Sequence, residues 1–165
     1  MRVNVSDIVK TEGEGVDVDF FGDLPGLQEY DTPVEFKPSF KFTGRIVNLG
    51  GLLKLSGSLH FEFSANCLRC LTPVETAADI KVEESFVEAS KSEDVDAYTF
   101  EGNVVDIDKP LMDNIILALP MKILCSEDCK GLCKTCGTNL NIKNCNCDEH
   151  EIVDPRMEIL KDYFK

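Results

Sequence analysis

Histidine is nearly missing from this chain, with two residues, His60 and His150, among 165. A catalytic zinc keeps an open position, recruits His or a carboxylate and needs a general base beside it, so this shortage argues against zinc catalysis. No Ser-His-Asp order, glycine-rich phosphate loop or paired-carboxylate context stands out, which leaves acyl and phosphoryl transfer without a candidate constellation. Long apolar runs are missing too: none approaches the roughly 20 residues of a membrane helix. The first residues, Met1-Arg2-Val3-Asn4-Val5-Ser6-Asp7, hold no apolar signal core. The expectation is a cytoplasmic protein without a membrane partner, in a compartment that keeps thiols reduced. Basic charge is the last shortage, 17 Lys and Arg against 30 Asp and Glu, for a net charge of −13. A field of that sign repels a phosphate backbone, so any RNA contact has to be local and a basic protein partner is favoured.

What the chain does hold is eight cysteines in four close doublets: Cys67–Cys70, Cys125–Cys129, Cys133–Cys136 and Cys145–Cys147. Short-spaced thiolate pairs on tight turns are the usual way to build a tetrahedral Zn²⁺ site, and four pairs supply two complete structural sites. Two filled sites would bring the net charge to about −17, since eight thiolates outweigh two dications. Three pairings are open. The preferred one is sequential, Cys67 and Cys70 with Cys125 and Cys129, then Cys133 and Cys136 with Cys145 and Cys147. In it Gly137 supplies the positive φ of a knuckle turn, and both side chains of the C-x-C share one face of an extended segment. An interleaved, cross-braced pairing is the second. In the third, Cys125 to Cys136 would wrap one ion, which a continuous helix forbids. The spacing Cys129-x₃-Cys133-x₂-Cys136 also matches a three-cysteine iron–sulfur site, but so small a β-rich chain lacks the large barrel that such chemistry uses. His150 beside the last doublet is redundant if both sites are all-cysteine.

The periodicity is mostly two. A short strand around Val3 and Val5 and an alternation of Val16, Val18 and Phe20 open the chain. Val34, Phe36, Phe40 and Phe42 lie on one face, with Pro38 marking an edge or bulge. Asn48-Leu-Gly-Gly51 reads as a hairpin turn. From Leu53 to Ala65 apolar residues alternate with Lys54, Ser56, Ser58, His60, Glu62 and Ser64, one face buried and one wet. The pattern resumes from Val74 to Phe86, so Cys67–Cys70 caps a hairpin. Residues 88–103 read as an acidic loop. Asp108 looks like an N-cap with Pro110 in the first turn, and Leu111, Ile115, Ile116 and Leu119 make one apolar helical face ended by Pro120. Asp154-Pro155 opens a short C-terminal helix carrying Met157, Leu160 and Phe164. No internal repeat is evident. The expected fold is α+β: an antiparallel β-sheet or partly closed barrel with one amphipathic helix, a C-terminal zinc-knuckle or ribbon segment and a short C-terminal helix. The expected divisions are a β-rich domain at 1–120, a metal-binding segment at 121–150 and a helix docking on the body at 151–165.

Three features need their plainer readings set beside the sharper ones. The Phe-rich strands fit core packing better than a stacking platform for RNA bases. His60 falls on the wet face as a surface residue. The acidic stretch with Glu88, Glu93, Asp94, Asp96 and Glu101 is first a solvated connector and second a docking surface for a basic partner. By contrast Lys122, Lys130, Lys134 and Lys143 give the cysteine-rich segment a local positive excess, to which Arg69 adds. Arg69, Lys130, Lys134 and Lys143 are therefore the candidate RNA contacts.

Several motifs in one order carry a resemblance. They are Cys67-x-Arg69-Cys70-Leu71 after a hairpin strand, Leu117-Ala-Leu-Pro120-Met-Lys122, and Leu124-Cys-Ser-Glu-Asp-Cys-Lys-Gly-Leu-Cys133. Then follow Cys136-Gly137, Asn139-Leu-Asn141, Cys145-Asn-Cys147 and Asp154-Pro-Arg156. Together, across residues 1–165, they resemble the YceD family of large ribosomal RNA accumulation proteins in its cysteine-rich form. The resemblance implies a non-enzymatic role in ribosome biogenesis, in the synthesis, processing or stability of the large-subunit (23S) rRNA. It implies no catalytic residues, only the eight cysteines as ligands of two structural Zn²⁺. The implied partners are a basic ribosomal protein, the large-subunit rRNA precursor, or both. The alternatives are a thiol-based redox or zinc-responsive protein and a zinc-dependent RNA-processing enzyme.

Overall fold

A computed structural model describes residues 1–91 and 96–147. Strands β1 (Arg2–Asn4), β2 (Gly15–Gly22), β3 (Val34–Phe36), β4 (Phe40–Asn48), β5 (Leu52–Asn66), β6 (Pro73–Glu88), β7 (Tyr98–Phe100) and β8 (Val104–Asp106) precede one helix, α1 (Asp108–Ala118). The main sheet runs β2-β4-β5-β6-β7, with β3 also on β5, and β1 pairs with β8 as a separate ribbon. All pairs are antiparallel except β6 with β7, so the sheet is mixed. No pairing joins β2 to β7 among the described residues, and the sheet is open; the partly closed barrel is not formed.

The long hairpin β5–β6 is the spine. Leu53, Leu55, Leu59, Phe61 and Phe63 are buried while their alternates face outward, the pattern that period two demands. The Phe rings are core: Phe40, Phe42, Phe61, Phe63 and Phe86 are essentially inaccessible, and Phe36, Phe40, Phe61 and Phe63 lie with ring centroids 5.9–6.4 Å apart. Gly44 sits opposite Gly57, and the Phe42 ring lies over Gly57 so closely that a Cβ there would approach it to 2.5 Å. The break between β3 and β4 falls at Lys37-Pro38-Ser39, and β3 continues alongside β5 where β4 leaves off. Pro38 has no N–H to give a ladder, which accounts for the interruption. Asn48 closes the β4–β5 turn from inside: its Nδ2 donates to Ile8 O (2.7 Å) and Val9 O (3.0 Å), and its Oδ1 accepts from Gly51 N (2.8 Å).

Three local expectations change. The acidic 88–103 stretch is not all loop: a 3-10 turn at Ala89–Lys91 follows β6, and Tyr98–Phe100 returns as β7 parallel to it. A 3-10 turn at Pro25–Glu29, which no periodicity marks, buries Leu27. Asp108 is inside α1 rather than its N-cap; Ile107 holds that position without a side-chain bond, and Asp106 Oδ1 accepts from Asp108 N at 3.1 Å. The helix ends at Ala118 because Leu119, preceding Pro120, is driven to extended backbone (ψ 130°). Leu111 and Ile115 are buried on the sheet, with Ile116 and Leu119 partly covered. The expected helix over 154–164 lies outside the described residues, as does His150.

Candidate metal centres

The β5–β6 turn and the segment after α1 fold against each other. Cys67 N–H donates to Thr72 O (2.9 Å) and Leu71 N–H to Cys67 O (2.9 Å), winding the tip back so that Cys67 and Cys70 face one side. The second knuckle repeats this device: Cys133 N–H donates to Thr138 O (2.8 Å) and Gly137 N–H to Cys133 O (2.9 Å). In both, the residue after the doublet has positive φ, 60° at Leu71 and 70° at Gly137. In both, a threonine hydroxyl lies 3.2 Å from the second sulfur, Thr72 Oγ1 on Cys70 and Thr138 Oγ1 on Cys136. The shared signal was present in the sequence as C-x-x-C-[L/G]-T.

Arg69 binds the tip to the following segment. Its Nη1 donates to Glu127 O (3.3 Å) and Cys129 O (2.9 Å), and Leu132 N–H donates to Arg69 O (3.1 Å). Two asparagines, not singled out by sequence reasoning as site residues, complete the stitching. Asn141 Nδ2 donates to Cys129 Sγ (3.3 Å) and its Oδ1 accepts from Lys130 N (2.8 Å), while Asn139 Nδ2 donates to Thr72 Oγ1 (3.3 Å). The Asn139-Leu-Asn141 spacing was their only trace.

The sulfurs gather into two tetrads, Cys67, Cys70, Cys125, Cys129 and Cys133, Cys136, Cys145, Cys147, each with its four Sγ within 4.8 Å of one another. This is the sequential grouping. Cys67 Sγ lies 3.8 Å from Cys129 Sγ and Cys70 Sγ 3.5 Å from Cys125 Sγ, far outside disulfide length. A tetrahedron with Zn–S of about 2.3 Å has sulfur–sulfur edges of about 3.8 Å, so the donor set and its spacing fit a tetrahedral thiophilic cation. The first tetrad is largely buried, at Cys67, Cys70 and Cys129; none of the second is buried.

The titration pattern fits the same reading. Burial opposes a thiolate at Cys67, yet N–H groups of Cys70, Arg69 and Cys125 bring it down to about 6. The Thr72 hydroxyl and amide lower Cys70. Cys125, donating to Cys70 and Cys129, is pushed up to about 12. In the second tetrad the Thr138 hydroxyl and amide bring Cys136 down to about 6, and the amides of Cys136 and Thr135 lower Cys133. Cys147, facing Cys136, is pushed up to about 12. Cys145 is raised as well, despite the opposing Cys147 amide, chiefly by its sulfur contact with Cys133. In each tetrad, thiols thus keep protons that they share with neighbouring sulfurs, and a dication among them would take the place of those protons.

Elsewhere His60 is a half-exposed surface residue, its Nδ1 2.8 Å from Asp79 Oδ1. Lys130, Lys134 and Lys143 are exposed on the cysteine-rich segment.

A family model described as large ribosomal RNA subunit accumulation protein YceD matches residues 55–163. The chain belongs to the YceD family. The matched span takes in most of β5, all of β6 and α1, and all eight cysteines. An uncharacterized protein of Mycobacterium tuberculosis strain H37Rv is 30% identical over 117 residues, 68% of this chain and 56% of its own length. The uncharacterized protein YlbN of Bacillus subtilis is 28% identical over 152 residues, 83% of this chain and 88% of its own. The large ribosomal RNA subunit accumulation protein YCED homolog 1, chloroplastic, of Arabidopsis thaliana is 38% identical over 47 residues, 28% of this chain and 15% of its own. The chain spans a little over half the length of the mycobacterial relative. No solved structure matches it.

Proposed function

We propose that this YceD-family chain is a non-enzymatic ribosome-biogenesis factor that supports the synthesis, processing or stability of large-subunit (23S) rRNA in the cytoplasm. The family match over residues 55–163, whose description names rRNA accumulation, carries the reading. Each tetrad would hold one structural Zn²⁺, Cys67, Cys70, Cys125 and Cys129 one ion and Cys133, Cys136, Cys145 and Cys147 the other. Four thiolates fill a tetrahedral ion, which supplies cross-linking energy and leaves no position for an activated water. The partner is a basic large-subunit protein, the rRNA precursor, or both, in keeping with a net charge of −13 and the local lysines of the cysteine-rich segment.

Depletion in the native host tests the role. The ratio of mature 23S to 16S rRNA should fall and recover with the wild-type chain, and an unchanged ratio would sink the reading. Affinity purification with and without RNase separates the partners. Large-subunit proteins that stay bound after RNase mark a protein escort, and partners lost with RNase mark an RNA contact.

A further inference from the structure

Strand β6 uses one edge along its whole length and the other barely at all. It pairs with β5 from Pro73↔Asn66 to Val87↔Leu52, whereas its other edge meets β7 only at Phe86, Val87 and Glu88. Between Val74 and Ser85 that second edge carries no strand among the described residues. The phase of the ladder identifies the open groups. Cys67 N–H donates to Thr72 O at the turn, and hydrogen-bonded rungs of an antiparallel pair recur at every second residue. Even-numbered β6 residues therefore bond to β5, and Glu75, Ala77, Asp79, Lys81 and Glu83 turn their N–H and C=O outward. All five are exposed. An unpaired edge of this length is a template for another strand.

The side chains beside the edge say what would lie there. Glu75, Asp79 and Glu83 stand in one row, with Lys81 and Ala77 between them. Each carboxylate already meets a side-chain nitrogen across the sheet, of Lys37, His60 and Lys54 respectively, at 2.8–2.9 Å. These pairs are exposed and weak, and Lys81 balances the third carboxylate, so the row can exchange partners; the body's net charge of −13 then favours a basic strand over an acidic one. On the opposite face Ala78 and Ile80 are half-buried against the core. An added strand sets its alternate residues beside these two rows, which suits basic residues alternating with apolar ones. A second copy would bring acid against acid, at −13 on −13. The chain's own residues 148–165 carry six carboxylates against three Lys and Arg, the wrong sign as well.

We infer that the open edge of β6 takes up an extended, basic segment of a protein partner as an additional strand. This rests on the protein-partner half of the proposed function and names its docking site. The test uses the full zinc-loaded chain and a synthetic peptide of alternating lysine and valine, read by amide hydrogen exchange. At ten times the peptide's Kd, exchange at Ala77, Asp79 and Lys81 slows about tenfold, while an alternating glutamate–valine peptide has no effect. Ala77→Pro, which deletes an outward N–H but no rung to β5, weakens peptide binding at least tenfold with the circular dichroism unchanged. If Ala77→Pro does not fold, the exchange measurement on the wild-type chain decides alone. Protection that appears elsewhere, or nowhere, overturns the inference. So does protection of these amides by oligouridine instead of the peptide, or slow exchange there before anything is added. In cells, large-subunit proteins held after RNase by both wild type and Ala77→Pro would remove the edge and leave the proposed function standing. None held by the wild type itself would remove the protein-partner reading.

Discussion

Leu71 and Gly137 occupy the same place in two copies of one turn, and only one of them is a residue suited to it. At φ 60° a leucine carries the steric cost of the left-handed region, roughly 1–2 kcal/mol, which glycine avoids. The Leu71 side chain is 61% exposed, so little burial offsets that cost. Leu71→Gly should therefore stabilise the tip by about 0.5–1 kcal/mol net of the entropy that glycine adds to the unfolded chain, a rise of about 1–3 °C in Tm. Gly137→Ala, with open space around its Cβ but φ at 70°, should cost about 1 kcal/mol. Scanning calorimetry of the two variants checks both signs, and a drop for Leu71→Gly would mean that the exposed leucine is held by a contact. Arg69 is informative at the same scale. Its guanidinium bonds two carbonyls 58 and 60 residues away, a role that position inside a doublet does not announce. Charge alone makes it a candidate RNA contact; the geometry gives it internal work that Lys130, Lys134 and Lys143 do not share.

Elements are joined here by two devices of different strength. One is Asp113 on α1, which accepts from Tyr30 Oη (2.9 Å), Tyr98 Oη on β7 (2.9 Å) and Lys109 Nζ (2.7 Å). Burial works against its charge, but these three donors hold its carboxyl below the usual carboxylate range. A folded-state value depressed in this way contributes stability that is complete above the unfolded value of about 4 and is lost as pH falls through the folded one. Asp113→Asn should cost roughly 1–2 kcal/mol at pH 7 in urea unfolding, with the gap from wild type narrowing below about pH 4. A constant gap would mean that the carboxylate's charge is irrelevant. The other device is the pair of tetrads. The first is walled by buried cysteines and tied to β5, β6 and the exit of α1; the second has no buried cysteine. Elemental analysis should find about two Zn per chain, and a chelator should withdraw them in two phases, the second tetrad first. Cys145→Ser should remove the fast phase, and hydrogen exchange should then rise at 133–147 while the amides that bond β4 to β5 and β5 to β6 stay protected. A single phase carrying both ions would show that the two tetrads open as one unit.

At the scale of the whole molecule, what could be read in advance was whatever local pattern dictates. Alternation from Leu53 to Phe86 forces a hairpin with Cys67–Cys70 at its tip, and the eight residues between the last two doublets make their tetrad the compact one. Strand β7 was illegible because three residues, Tyr98-Thr99-Phe100, have too little periodicity; they are placed by the Phe86–Tyr98 ring contact and the Tyr98–Asp113 bond. Openness of the sheet was equally hidden, since closure depends on whether distant edges meet. Charge is the property that acts over the full molecule, and it bounds what the lysines can do. Lys130, Lys134 and Lys143 are exposed on a body of net charge −13, or about −17 with two filled sites. Three phosphate contacts to single-stranded RNA release few counterions, for a slope of log K against log salt of only about −2. That is too shallow to carry binding unaided against the field of the body, so an RNA contact here would fix orientation beside a stronger protein interface. Reversing all three lysines to glutamate should reduce rRNA association and flatten the salt slope by about 2 while the circular dichroism and zinc content stay unchanged. Association and slope both unaltered would place the RNA contact away from the cysteine-rich segment.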